Sequence, residues 1–277
     1  MFVTGCHRSG TSLLASVVRG LIEQEPENAE ELPPALDNPR GFQESKPLNQ
    51  LNNRLLQLAD CRWDRPPLLM PDWSSDPFFK ELFEARDRFA GLALKRNWVE
   101  KNPRLCITAG AMQHLLLRRV PMLAVLREPQ AVALSLFRRN GIAIDQGLMV
   151  WFLYNHHLAA LLQPQDLLVS YSELKAGGTR VLNKLVSHLQ THGLAVLHRD
   201  ATLLADAIDP DLDRAGGVEL SLEGQAAALA ESCLERYQRC TAPGADLAVF
   251  QAVFADLPAA LLPVLSRQGV WHWRSCD

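Results

Sequence analysis

The stretch Gly5-Cys6-His7-Arg8-Ser9-Gly10-Thr11-Ser12 limits what this chain can fold into more than any other. It follows the β-branched and aromatic run Phe2-Val3-Thr4 and precedes residues 13–22, whose apolar side chains suit a buried helix. Strand, glycine loop and helix in that order make an anion trap. The glycines let successive N–H groups converge, and the helix behind them adds the positive end of its dipole. The spacing is that of G-x-x-x-x-G-K-[ST], with Ser12 in the hydroxyl position. Thr11 stands where that pattern has lysine, and Arg8 is the loop's cation. We therefore expect a phosphate cradle that has left the nucleoside-triphosphatase arrangement. A merely structural turn needs one glycine and no arginine.

Periodicity places the other elements. Residues 23–46, rich in Glu, Pro and Asn, read as a long functional loop. Within it a turn at Asn38-Pro39-Arg40-Gly41 leads to Phe42 and Glu44. Helices are expected over 48–58, 78–94, 105–117, 131–139, 147–162 and 179–190, and strands over 98–101, 121–126 and 167–170. Strands alternating with helices predict an α/β fold, a P-loop-type doubly wound parallel sheet flanked by helices. We expect one domain over 1–277. Its core would be 1–197 with a helical insert at 46–96, and 198–277 would be a helical C-terminal extension covering the sheet or the site.

Composition removes several classes of function. Of 277 residues, 48% are hydrophobic and 21% charged, as in ordinary soluble proteins. A net charge of −3 gives no basic field for nucleic acid or an anionic membrane. The six cysteines show no C-x-x-C and no metal-like pairing with histidine, which suggests reduced thiols and no metal. The apolar run 148–154 is too short to span a bilayer. With a first strand beginning at Phe2 there is no room for a signal peptide, so we expect a cytoplasmic protein.

Ligands of open α/β sheets sit at the carboxyl ends of the strands. A magnesium-dependent nucleotidase places an Asp there, whereas this chain places Lys101, Arg127 and Tyr171 after three of its strands. The ligand is expected to be an anion held by cations and hydroxyls. Ser135 lies eight residues after Arg127, just over two helical turns on. Together they suit a second phosphate; alternatively the arginine caps a carbonyl and the serine fills a helix interface.

GCHRSGTSLLA, KNPRLC, LREPQAVALSLFRRNG and LLVSYSEL, in this order, resemble the sulfotransferases that use 3′-phosphoadenosine 5′-phosphosulfate (PAPS), in particular the bacterial and tyrosylprotein-like branch. The resemblance covers about residues 1–190. It implies that the loop with His7, Arg8, Ser9, Gly10, Thr11 and Ser12 holds the 5′-phosphosulfate, that Arg127 and Ser135 hold the 3′-phosphate, and that Tyr171 lies beside the nucleotide. It further implies that Lys101 and Arg8 neutralise the transferring sulfuryl group, without metal. Asn102 stands where related enzymes have Asp. Sulfuryl transfer rests on in-line positioning and charge neutralisation, and a general base must take the proton of the acceptor hydroxyl or amine. Glu44, His7 and His114 are the candidates. Glu44 comes first, because related enzymes use a glutamate from a comparable loop, where closure couples acceptor binding to activation. His156 and His157 have no partner at metal-ligand spacing. The acceptor is open among sugar, peptide, lipid and small metabolite. Phe42, Trp63, Trp73, Phe78 and Trp151 are candidates to wall its pocket, although aromatics at such spacings are more often core. Two other readings stand beside this one. A P-loop small-molecule kinase is disfavoured by Thr11 and Arg127; a catalytically silent 3′,5′-bisphosphonucleotide-binding module shares the same loop.

Overall fold

The computed structural model describes residues 1–22, 31–33, 41–94, 97–197 and 221–268. Among them four parallel strands form one sheet in the order β2-β1-β3-β4. They are β1 (Phe2–Thr4), β2 (Glu100–Lys101), β3 (Met122–Leu126) and β4 (Leu167–Ser170). Phe2 lies opposite Glu100 on one side and Met122 on the other, and Leu126 lies opposite Ser170. This register brings the carboxyl ends of all four strands to one edge, where the residues that follow them meet.

Period two decides the layers. In β3, Leu123 and Val125 join the apolar cluster around α1 (Thr11–Leu21) and α8 (Thr179–Thr191), while Met122, Ala124 and Leu126 face the larger cluster on the opposite side. That larger cluster takes in α4 (Leu105–Leu116) and α6 (Ile144–Leu161), and beyond them α2 (Lys46–Leu58) and α3 (Phe78–Leu94). Both faces of the sheet are covered, which accounts for strands that read as continuous apolar runs.

Several element ends differ from the periodic reading for local reasons. α5 (Pro129–Asn140) starts two residues earlier than expected, because Pro129 suits the first helical position and the Glu128 carboxylate accepts from the N–H groups of Gln130 and Ala131. α7 (Tyr171–Ala176) was not expected; a capping box between Ser170 and Glu173 starts it directly off β4. β2 ends at Lys101, shortly before Pro103, and begins two residues later than expected, at Glu100. In the C-terminal region, α9 (Gly224–Thr241), α10 (Leu247–Phe254) and α11 (Leu262–Gln268) are helical as expected. α9 packs on α5 and α6, and α10 on α6. Phe254 packs against Trp151, and Gln251 Nε2 donates to the Ala159 and Leu162 carbonyls. The rest of 198–277 and most of the loop at 23–46 lie outside the described residues. No single helix among the described residues is long and apolar enough to cross a membrane.

Candidate functional site

The glycine loop links β1 to α1 through three residues at positive φ: Gly5 (148°), Arg8 (66°) and Gly10 (92°). A Cβ at Gly5 would stand 2.5 Å from the Val125 carbonyl oxygen, and one at Gly10 would stand 2.4 Å from the Tyr171 ring. Both glycines are therefore required by close approach as well as by conformation. Arg8 holds a left-handed backbone without glycine's freedom, a strain that folds tolerate mostly at functional sites.

Around this loop the strand-end residues converge. Arg127 Nη1 donates to the Arg8 carbonyl at 2.9 Å, and its guanidinium lies 4.3 Å from the centre of the Tyr171 ring. Arg8 Nε donates to Ser135 Oγ at 2.9 Å, so Ser135 does reach the arginine cluster two turns along α5. Trp151 is fully buried and donates from Nε1 to the Arg127 carbonyl at 2.8 Å, which ties the end of β3 to α6. The Ser9 hydroxyl is buried with no hydrogen-bond partner, a cost that a bound anion's oxygen would offset.

The facing wall comes from residues 41–45 and the end of β2. Arg19 of α1 donates to Gln43 Oε1 (2.8 Å) and to the Val99 carbonyl (3.2 Å), and Ser45 Oγ donates to Glu100 Oε2 (3.0 Å). These bonds hold Glu44 inward, only 5% exposed. Lys101, 2% exposed, donates from Nζ to Glu44 Oε1 (2.7 Å) and to the Phe42 carbonyl (2.9 Å). Glu44 Oε2 accepts from Asn102 (3.1 Å) and Asn49 (2.9 Å). Burial pushes the Lys101 ammonium down from its usual range, and the Glu44 carboxylate opposes that shift. Asn102 also caps the Arg104 N–H. An Asp there would set a second carboxylate against Glu44, so the departure from the related motif fits its surroundings.

The two walls enclose one cleft. It is lined by His7, Arg8 and residues 10–13 of the loop, with Phe42, Glu44, Lys101, Arg127 and Tyr171. Apart from His114, every expected site residue lines this cleft or, for Ser9 and Ser135, is joined to a residue that does. Ser12 Oγ donates to the Phe42 carbonyl at 3.3 Å and so bridges the walls. His7 packs against Trp63 (4.7 Å between centroids) and Tyr154 (5.3 Å). Burial, then the charges of Arg104, Lys101, Arg139 and Arg8, hold its imidazole well below the ordinary range, so it is neutral.

Some expectations change. Glu44 was expected on a loop that closes over the site; it is buried and already paired. His114, a candidate base by sequence, is exposed on α4, away from the cleft, and is no candidate base. Of the five aromatic residues considered for an acceptor wall, Phe42 lines the cleft and Trp63 stands behind His7, whereas Trp73, Phe78 and Trp151 belong to the core. His156 Nδ1 and His157 Nε2 hydrogen-bond to the carbonyls of Phe254 and Pro67, and among the described residues no cluster suits a metal ion. Sequence reasoning missed Asn49, Arg104 and Arg139. The Arg139 guanidinium lies over the Phe42 ring at 5.1 Å. Arg104 sits one residue past the Pro that ends β2, a position the strand-end rule already marks.

No family model and no curated protein matches the chain. Among solved structures, it is similar to the sulfotransferase domain of the olefin synthase from Synechococcus PCC 7002. The two share 20% identity over 93% of this chain and 94% of that one, with a TM-score of 0.47.

Proposed function

We propose that this chain is a PAPS-dependent sulfotransferase acting on a hydroxyl or amine acceptor, with 1–277 working as one sulfotransferase-like unit. The observation that carries the reading is a cleft whose phosphate loop lacks the lysine of triphosphatases. In its place the cleft gathers Arg8, Lys101 and Arg127 with one buried carboxylate, Glu44.

The residues present fit the donor. Converging loop N–H groups and the unpartnered Ser9 hydroxyl suit its 5′-phosphosulfate. Arg127 and Ser135 suit the 3′-phosphate, with Ser135 exchanging its bond from Arg8 for one to the phosphate. Tyr171, held between Gly10 and the Arg127 guanidinium, offers a flat face beside the nucleotide. When bound, PAPS supplies an activated sulfuryl group. The protein's part is to place the acceptor in line, take its proton on Glu44, and neutralise charge on the sulfuryl oxygens with Lys101 and Arg8. Oε1 of Glu44 accepts one hydrogen bond here, from Lys101, which leaves it a lone pair for that proton. Such chemistry needs no metal.

The test is turnover: PAPS incubated with the protein and a mixed panel of hydroxyl acceptors, with release of adenosine 3′,5′-bisphosphate measured in EDTA. Acceptor-dependent release that Glu44→Gln abolishes supports the reading. Tight bisphosphate binding with no turnover on any acceptor would instead favour the silent module, and magnesium-dependent ATP consumption would favour the kinase.

A further inference from the structure

The sulfotransferase reading, on which this inference rests, makes Glu44 the base, and the two oxygens of its carboxylate stand in different surroundings. Oε2 accepts from the side-chain amides of Asn49 (2.9 Å) and Asn102 (3.1 Å). Oε1 accepts from Lys101 (2.7 Å). A carboxylate offers about four acceptor positions over its two oxygens, so the amides fill Oε2 and leave one position open on Oε1. Glu44 lines the cleft, and Oε1 is its one oxygen with room for a proton.

The two amides hold Oε2 from different places. Asn102 is built into the edge of the sheet. Its Oδ1 accepts from the Arg104 N–H (3.0 Å), its own N–H donates to the Val3 carbonyl (3.2 Å), and its carbonyl accepts from Thr4 Oγ1 (3.0 Å). Asn49 lies in the first turn of α2, whose buried face is made by Leu48, Leu51, Asn52 and Leu55. Its Oδ1 accepts from Nδ2 of Asn53 (3.0 Å), an exposed residue four positions on and therefore on the same face of the helix. Asn53 occupies the oxygen end of the Asn49 amide, so the NH2 end is the one turned on Glu44. That group donates a hydrogen bond and takes no proton, which keeps Oε2 an acceptor throughout.

We propose that Asn49 is a positioning residue for the base: held by Asn53, its amide pins Oε2 of Glu44 so that Oε1, beside Lys101, takes the acceptor's proton. The proton passes to Oε1 as the acceptor oxygen or nitrogen bonds to sulfur and the bond from sulfur to the 5′-phosphate oxygen breaks. The electron pair of that bond goes to the nucleotide, Glu44 ends neutral, and its proton later leaves to solvent. Asn49 touches neither substrate and acts through Glu44.

Two variants test this. Asn49→Ala removes the donor, and Asn49→Asp keeps the shape but sets a second carboxylate against the first. Affinity for adenosine 3′,5′-bisphosphate, measured by calorimetry, should stay within a few fold and shows that a variant is folded. The bisphosphate-saturated protein, labelled with ¹³C-glutamate, is then followed against pH at the Glu44 carboxyl resonance, identified by its loss in Glu44→Gln. A hydrogen bond to a carboxylate favours its ionised form and a second carboxylate opposes it. The resonance should therefore change at higher pH in both variants, by at least about one unit in Asn49→Asp and by less in Asn49→Ala. With PAPS and an acceptor that the wild type turns over, kcat at neutral pH should fall about 10- to 100-fold and the KM of the acceptor should change less. The acid limb of the pH profile should move with the resonance. Asn53→Ala, at an exposed position, should give the same pattern with a loss of roughly two- to tenfold in kcat, and carries the comparison if neither Asn49 variant folds. A slower enzyme whose resonance and acid limb stay in place would overturn the proposal and leave Asn49 a structural role only. A wild type that binds no bisphosphate or turns over no acceptor is seen before any variant is made, and would remove the sulfotransferase reading and this inference together.

Discussion

The two walls of the cleft are built in opposite ways. The wall proposed to hold the donor rests on one continuous loop, residues 5–12, whose shape is set by its own backbone and by two glycines that admit no side chain. The facing wall, proposed to receive the acceptor, is assembled from distant segments. Lys101 and Asn102 meet Glu44 across 57 and 58 residues of chain, and its polar groups are buried and mutually dependent. A local cradle tolerates the loss of one contact, because several N–H groups share the ligand. A buried polar network does not, since each removed partner strands another. The first wall should lose binding in steps, the second should lose chemistry at once.

Glu44→Gln breaks the comparison most sharply. Turnover should fall roughly 10²–10⁴-fold, the usual worth of a general base. Affinity for adenosine 3′,5′-bisphosphate, held by the other wall, should stay within a few fold. The same change leaves Lys101 buried beside a neutral amide, so stability to urea should drop by up to about 3–5 kcal/mol. Comparable losses of affinity and turnover would mean that the two walls are not separable.

Arg127→Ala tests the donor wall by a step of the expected size. The preference for the 3′,5′-bisphosphate over 5′-AMP, measured by titration calorimetry, should shrink by roughly 10- to 100-fold, as for the loss of a charged hydrogen bond. Equal weakening of both nucleotides would move the 3′-phosphate away from Arg127. A third variant, Gly10→Ala, introduces strain at φ 92° and a contact of 2.4 Å with Tyr171. It should destabilise the protein by about 1–3 kcal/mol, and Tyr171→Ala should recover part of that loss; no recovery would show that the ring does not seat on the glycine.

The smallest effect joins the walls. His7 is neutral because burial and four surrounding cations depress its pKa below 6.5. A bound bisphosphate offsets those cations, so the pKa rises on binding and a proton is taken up. Affinity should therefore gain as pH falls from about 6.5 toward the free imidazole's pKa, by at most about tenfold per pH unit for one proton. The difference between wild type and His7→Gln isolates this gain from titration of the phosphates themselves. Identical pH profiles would place His7 outside the field of the donor.

What the sequence made legible follows the same division. The strand–loop–helix at 2–21, the parallel sense of the strands and the meeting of Lys101, Arg127 and Tyr171 at one edge all come from spacing within short segments. Ser135 was legible for the same reason, eight residues after Arg127 on the helix that follows it, where it meets Arg8. Glu44 was legible as a residue and not as an environment. Its burial comes from Arg19, Ser45 and Asn49, each tied by a bond that no periodicity records. Arg104 and His7 each carry a nitrogen without a partner only once the fold has removed water around them. Trp73 and Trp151 went the other way: aromatic residues near loops and strand ends turned out to be core, where their large apolar area is best spent.

The central claim is that the cleft holds a nucleotide marked by a 3′-phosphate and needs no metal to do so. Thermal unfolding measured with adenosine 3′,5′-bisphosphate near one hundred times its dissociation constant, and with 5′-AMP and ATP plus magnesium at that same concentration, addresses it directly. Saturation at that excess adds about 2.7 kcal/mol, a rise in midpoint of roughly 5–10 °C. The account predicts that rise with the bisphosphate in EDTA, and much less with 5′-AMP or with ATP and magnesium at the same concentration. A rise with ATP and magnesium alone would contradict it.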